Sequence, residues 1–129
     1  MNGPDSHITI DKLKGKEDID LLFKQGVKIN SGLVMFRHLI FEQPKFAIKV
    51  GFSAPKKIFP KAVDRNKVKR LLREAFHIAN QSFATELQKK GKSLNGIFMY
   101  HGTLDVDFRL ICTHVNNVVA QLLESVEAS

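Results

Sequence analysis

The stretch KAVDRNKVKRLLREAFHIA, residues 61 to 79, decides how the rest of the chain is read. Val68, Leu71, Leu72, Ala75, Phe76 and Ala79 recur at helical spacing, so one stripe of a helix is apolar and has to lie on a core. The phase runs on to Phe83 and Leu87, and Lys89, Lys90 and Gly91 suit a helix end, so the pattern predicts one long helix. The other faces are cationic. Arg65, Lys69 and Arg73 follow one another by four residues beside the stripe, while Asn66 and Arg70 make a second row on the exposed side. Each row advances about 5.4 Å per turn, on the scale of the phosphate repeat of a nucleic-acid strand.

Just before this helix come Lys56, Lys57 and Lys61 in a loop punctuated by Pro55 and Pro60. From Lys56 to Arg73 there are eight basic residues against one acid, Asp64, so this segment carries the whole +7 of the chain. The remainder holds 12 basic and 12 acidic residues and is neutral. A charge run alone is usually a solvated face; the entire excess in one segment points to a polyanion. An anionic membrane fits poorly, because a membrane helix turns its apolar face outward and this one is needed for the core. A DNA-reading helix-turn-helix needs a preceding helix and a tight turn, whereas a strand and a Pro-containing loop precede this helix. Phe-bearing strands beside a cationic helix suit single-stranded RNA in a groove.

At 129 residues the chain makes a single domain, with residues 1–12 a loose polar arm and 13–125 the folded core. Ile19, Leu22 and Phe23 give a short amphipathic helix that Gly26 stops. Val27 to Asn30 reads as an edge strand and Leu33 to Phe41 as a second. Phe46, Ile48, Val50 and Phe52 alternate with smaller or polar residues, which is a strand with one apolar face. Ile97 to Tyr100 reads as a short buried strand, and a last helix runs from about Asp107 to Ser125. The order α-β-β-β-α-β-α predicts an α+β fold, a sheet of about four strands packed with three helices. One cysteine, Cys112, makes no internal disulfide, and no uncharged apolar run spans a membrane, so a cytoplasmic domain is expected.

Protein-borne catalysis is not visible. His7, His38, His77, His101 and His114 contain no pair at helical ligand spacing. Asp105 and Asp107 stand where helix capping explains them, and Gly91-Lys92-Ser93 lacks the first glycine of a phosphate loop. No catalytic or metal-binding residue and no organic cofactor is therefore expected of the chain itself.

The runs Gly51-Phe-Ser-Ala-Pro-Lys-Lys and Lys61 to Phe76, with Arg65-Asn66-Lys67 at the helix start, resemble the signature of the bacterial ribonuclease P protein subunit. Leu13 to Gly26 is similar to that family's first helix, and the resemblance runs over about residues 12–125. It implies a left-handed crossover leading into the conserved helix. The implied partners are a catalytic RNA and precursor tRNA, whose 5′ leader the particle removes with Mg²⁺ held mainly by the RNA. No DNA and no membrane enter this reading. Carried over by position, the RNA contacts are Lys56, Lys57, Lys61, Arg65, Asn66, Lys67, Lys69, Arg70 and Arg73. The implied leader cleft takes in Ile19, Phe23, Phe36 and Phe52. An aromatic at the helical spacing of Phe23 serves equally as core or as platform, and both readings stand. Lys67 replaces the usual second arginine, the run from Lys57 to Arg65 is one residue longer than the common spacing, and Tyr100-His101-Gly102 stands where basic residues are frequent. The alternative is a non-catalytic, ribosomal-like RNA-binding protein.

Overall fold

The computed structural model describes residues 8–128. In chain order the elements are β1 (Ile10–Lys12), α1 (Lys16–Gln25), β2 (Val27–Ser31), β3 (Val34–Glu42), β4 (Ile48–Ser53), α2 (Ala62–Ala79), α3 (Gln81–Lys89), β5 (Lys92–Tyr100) and α4 (Phe108–Ala128). The architecture is α+β, with one five-stranded mixed sheet in the order β1-β4-β5-β3-β2. β4 and β5 are adjacent and parallel, so α2 and α3 form the crossover between them, the connection for which the resemblance implies a left hand.

Strand alternation sorts the side chains onto two unequal faces. Phe36, Phe98 and Phe52 stand in register across β3, β5 and β4 and point at the same side. Phe76 of α2 closes over them, with ring centroids 5.2 Å from Phe98 and 6.4 Å from each of Phe36 and Phe52. Val115, Val118, Val119 and Leu122 of α4 complete this main core. The other face carries Met35, Arg37, Gly51 and Ile97, and among the described residues α1 and Leu13 lie against it.

Three expectations need correction. The sheet has a fifth strand inside the arm predicted to be loose: Ile10, Asp11 and Lys12 pair in parallel with Ile48, Lys49 and Val50. Ile8 and Ile10 pack against the core, and that burial offsets the ordering of a polar segment. Residues 1–7 of the arm lie outside the described residues. The single long helix is two, separated at Asn80. Its buried side-chain amide donates to the carbonyls of Phe76 (2.8 Å) and His77 (3.3 Å), a side chain-to-backbone competition that suits a break rather than a helix interior. The apolar phase continues because α3 lies on the same core, burying Phe83 and Leu87.

The strand expected at Ile97 to Tyr100 begins five residues earlier, at Lys92, and is central rather than short. Its first half looks like loop because it holds Ser93, Asn95 and Gly96. Two of these have local reasons to be there. The Ser93 hydroxyl accepts the Ala47 N–H at 3.0 Å. Gly96 leaves room for the Phe36 ring, since a Cβ there would stand 2.6 Å from Phe36 Cε1. The last helix starts as read, with the Asp107 carboxylate accepting the Arg109 N–H at 2.9 Å, and runs on to Ala128 because Val126 is buried.

Candidate nucleic-acid interface

The loop after β4 and the first three turns of α2 bring the predicted cations together. Lys56, Lys57, Lys61, Asn66, Lys67, Arg70 and Arg73 are exposed, and Lys69 is half-buried. The ion pair recorded for this cluster joins Arg70 and Glu74 at 3.9 Å, with both side chains more than half exposed. Such a pair is worth at most about 1 kcal/mol, so the positive charge of this surface is left essentially uncompensated. An arrangement of that kind has the chemistry to take up a polyanion by displacing its counterions.

Arg65 differs from its neighbours. Its Nη1 donates to the carbonyls of Phe59 (2.9 Å) and Pro60 (2.8 Å), tying the end of the loop to the first turn of α2. The helical row Arg65, Lys69, Arg73 read from sequence is therefore not a row of equals. Arg65 holds the backbone that presents Lys56, Lys57 and Lys61.

Asn66, Arg70, Arg73 and His77 form one wall of an open groove of about 700 Å³. β1 forms the opposite wall, and Val50, Gly51 and Phe52 form the floor. His77 is fixed by a 2.8 Å hydrogen bond between Nδ1 and the Arg73 carbonyl.

The four residues assigned to one leader cleft are not brought together. Phe36 is fully buried, 4.2 Å from Phe98, and has no surface to offer. Phe52 shares its face of the sheet, whereas Ile19 and Phe23 lie on α1 across the sheet. The physical reason is register: residues in line across the strands share a face, so Phe36 and Phe52 both go with Phe98. On the α1 side Phe23 is 44% exposed, and the Arg37 guanidinium lies 5.0 Å from its ring centroid. Arg37 also reaches the Phe23 carbonyl at 3.5 Å, while its buried Nε has no partner. Arg37 was missed by sequence reasoning, yet alternation with a buried Phe36 already sends it to the opposite face. The Phe23 ring is thus packed by the Arg37 guanidinium while much of its surface stays exposed.

A family model described as Ribonuclease P matches residues 9–123. The chain belongs to this family. The ribonuclease P protein component of Chlorobaculum tepidum is 30% identical over 100 residues, which cover 71% of this chain and 65% of that protein. That of Legionella pneumophila strain Corby is 37% identical over 70 residues, covering 54% and 59%. These two matches span a little under two thirds of the relatives' own length. The protein component of Rickettsia canadensis is 28% identical over 117 residues, covering 87% of this chain and 97% of its own. RNase P proteins of Staphylococcus aureus and Thermotoga maritima share the fold. Each has a TM-score of 0.63, with 20% and 22% identity over 85% and 86% of this chain, and 93% and 96% of theirs.

Within this ribonuclease P family member, two titratable groups away from the cationic surface are shifted by burial. Burial pushes the His38 imidazole below its ordinary value, partly offset by the Val27 backbone, and raises the Cys112 thiol. Among the described residues no group of three His, Cys, Asp or Glu side chains could hold a metal ion, and no helix is long and apolar enough to cross a membrane.

Proposed function

We propose that this chain is the protein subunit of a bacterial ribonuclease P, a ribonucleoprotein endoribonuclease of the cytoplasm. It binds the catalytic RNA and the 5′ leader of precursor tRNA, and the particle removes the leader in tRNA maturation. The observation that carries this reading is the uncompensated positive surface of α2 and its loop, in a chain of the ribonuclease P family. Lys56, Lys57, Lys61, Asn66, Lys67, Lys69, Arg70 and Arg73 meet RNA, with Arg65 positioning the loop. Ile19 and Phe23, joined by Arg37, meet the leader on the α1 face. Among the described residues no cluster of His, Cys, Asp or Glu fits a metal ion, and the reading assigns Mg²⁺ to phosphates of the RNA. The protein's part is to replace diffuse counterions with fixed cations and to hold the leader.

The test is cleavage of precursor tRNA at low Mg²⁺ by a bacterial ribonuclease P RNA, with and without the protein. Cleavage at the mature 5′ end only when both are present supports the reading. RNA binding without restored cleavage, with the cognate RNA included, leaves a ribosomal-like RNA-binding protein instead. If six phosphates are neutralised, the log–log dependence of affinity on salt has a slope of roughly −4 to −5. A slope near zero removes the electrostatic account.

A further inference from the structure

β1 ends at Lys12, opposite Val50, so two residues further along β4 Phe52 has β5 on one side and no strand on the other. Phe52 is the open end of a line of rings: Phe36 to Phe98 at 4.2 Å, then Phe98 to Phe52 at 6.0 Å with planes 4° apart. The gap where the sheet stops is the groove between β1 and α2. We infer that this groove is a pocket for one unstacked nucleotide of an RNA partner, with the base against Phe52 and the phosphate against Arg70 and Arg73. The inference rests on the proposed RNA-binding function and adds a site to it, on the sheet face opposite Ile19 and Phe23.

Size and chemistry agree on this occupant. A volume of about 700 Å³ falls within the range of small-molecule sites and takes a nucleotide. The floor of Val50 and Phe52 is apolar and aromatic, which an isolated phosphate does not require and a base does. The helical wall offers two guanidinium groups for a phosphate and the Asn66 amide for a base edge or a 2′-hydroxyl. Asp11 is the one acid in the lining, set against Lys12, Lys67, Lys69, Arg70 and Arg73. A duplex keeps its bases stacked and brings only its backbone to such a wall, so a recessed aromatic floor favours an extruded or single-stranded residue. An apolar protein segment would leave five cations facing it without partners.

Stacking is not counterion release, which separates this site from the general charge of the surface. Phe52→Leu should weaken binding to a bacterial ribonuclease P RNA about tenfold while leaving the salt slope unchanged. Arg70→Gln should make the slope shallower by about 0.7 to 0.9. On the unsubstituted protein, 5′-UMP and 5′-AMP, titrated by NMR, should shift the Phe52 ring and Gly51 amide signals at lower concentration than inorganic phosphate does. This measurement decides the matter even where Phe52→Leu loosens the core. Nucleotides that act no differently from phosphate, or that leave Phe52 unmoved, overturn the pocket. So does a Phe52→Leu protein that folds and binds with native affinity. In those cases steep salt dependence of the native protein would still stand for the RNA-binding reading, whereas its loss would remove that reading separately.

Discussion

Replacing Arg65 by alanine should damage folding and RNA binding together, whereas replacing Arg73 should damage binding alone. Arg65 Nη1 serves two carbonyls at 2.9 and 2.8 Å. A hydrogen bond from a charged donor contributes about 1.5–3 kcal/mol, and the partly exposed setting brings the pair to about 2 kcal/mol in all. With an unfolding entropy of about 2.1 cal/mol/K per residue, a 129-residue chain loses about 7 °C of melting temperature for that amount. Freed of the clamp, the loop carrying Lys56, Lys57 and Lys61 samples more conformations, so RNA affinity should fall by more than one phosphate contact. The Arg73 guanidinium has no hydrogen bond or ion pair within the described residues and is exposed. Arg73→Ala should therefore melt within about 2 °C of the native protein and make the salt slope shallower by about 0.7 to 0.9. Thermal unfolding by circular dichroism, with RNA affinity measured at several salt concentrations, checks both. An Arg65→Ala protein that melts like the native one would refute the clamp and return Arg65 to the row of free cations.

Gly96→Ala should cost about 3 kcal/mol or more in denaturant unfolding, because the added Cβ meets the ring of a fully buried Phe36; the double change with Phe36→Leu should recover part of it, and additive costs would disprove that contact. His38 titrates below its ordinary 6.5 in the folded state, so the unfolded chain takes up the proton first and stability should fall as pH drops below about 6.5. In His38→Gln that part of the decline should vanish in melts between pH 5 and 7; an unchanged profile rules His38 out as its source. Phe23→Ala should lower affinity for precursor tRNA about five- to thirtyfold, about 1–2 kcal/mol of stacking, with no change for leaderless tRNA, and an equal loss on both would count against a leader contact.

The main core was legible because its signals are local. A 3.6-residue period from Val68 to Ala79 and a two-residue period from Ile48 to Phe52 each define an apolar face without knowledge of any neighbour. What failed was information carried by pairing. Ile10 to Lys12 is a strand only because β4 offers it an edge, and nothing in three residues says so. The first half of β5 reads as loop until Ser93 is set against Ala47 and Gly96 against Phe36. The cation cluster was fully legible as composition, yet the separate role of Arg65 depends on where the Phe59 and Pro60 carbonyls point. The cleft assignment went wrong by one step of alternation, which moves an aromatic from a surface to the middle of a core.

That step also changes what the molecule can hold. The groove floored by Phe52 and the platform of Phe23 and Arg37 lie on opposite sides of one sheet. The rings between them are packed solid, with Phe36, Phe76 and Phe98 fully buried, so no strand passes through. On the proposed function, an RNA segment in the groove and a leader on α1 are then separate occupants that do not compete for side chains. A single continuous cleft would force the catalytic RNA and the substrate to share one set of contacts. Two faces let the first stay bound while the second comes and goes with each turnover, as a lasting subunit of a multiple-turnover particle requires. The rings at the centre, of which Phe36 was read as cleft lining, do a different job: they keep the two surfaces apart and at a constant distance.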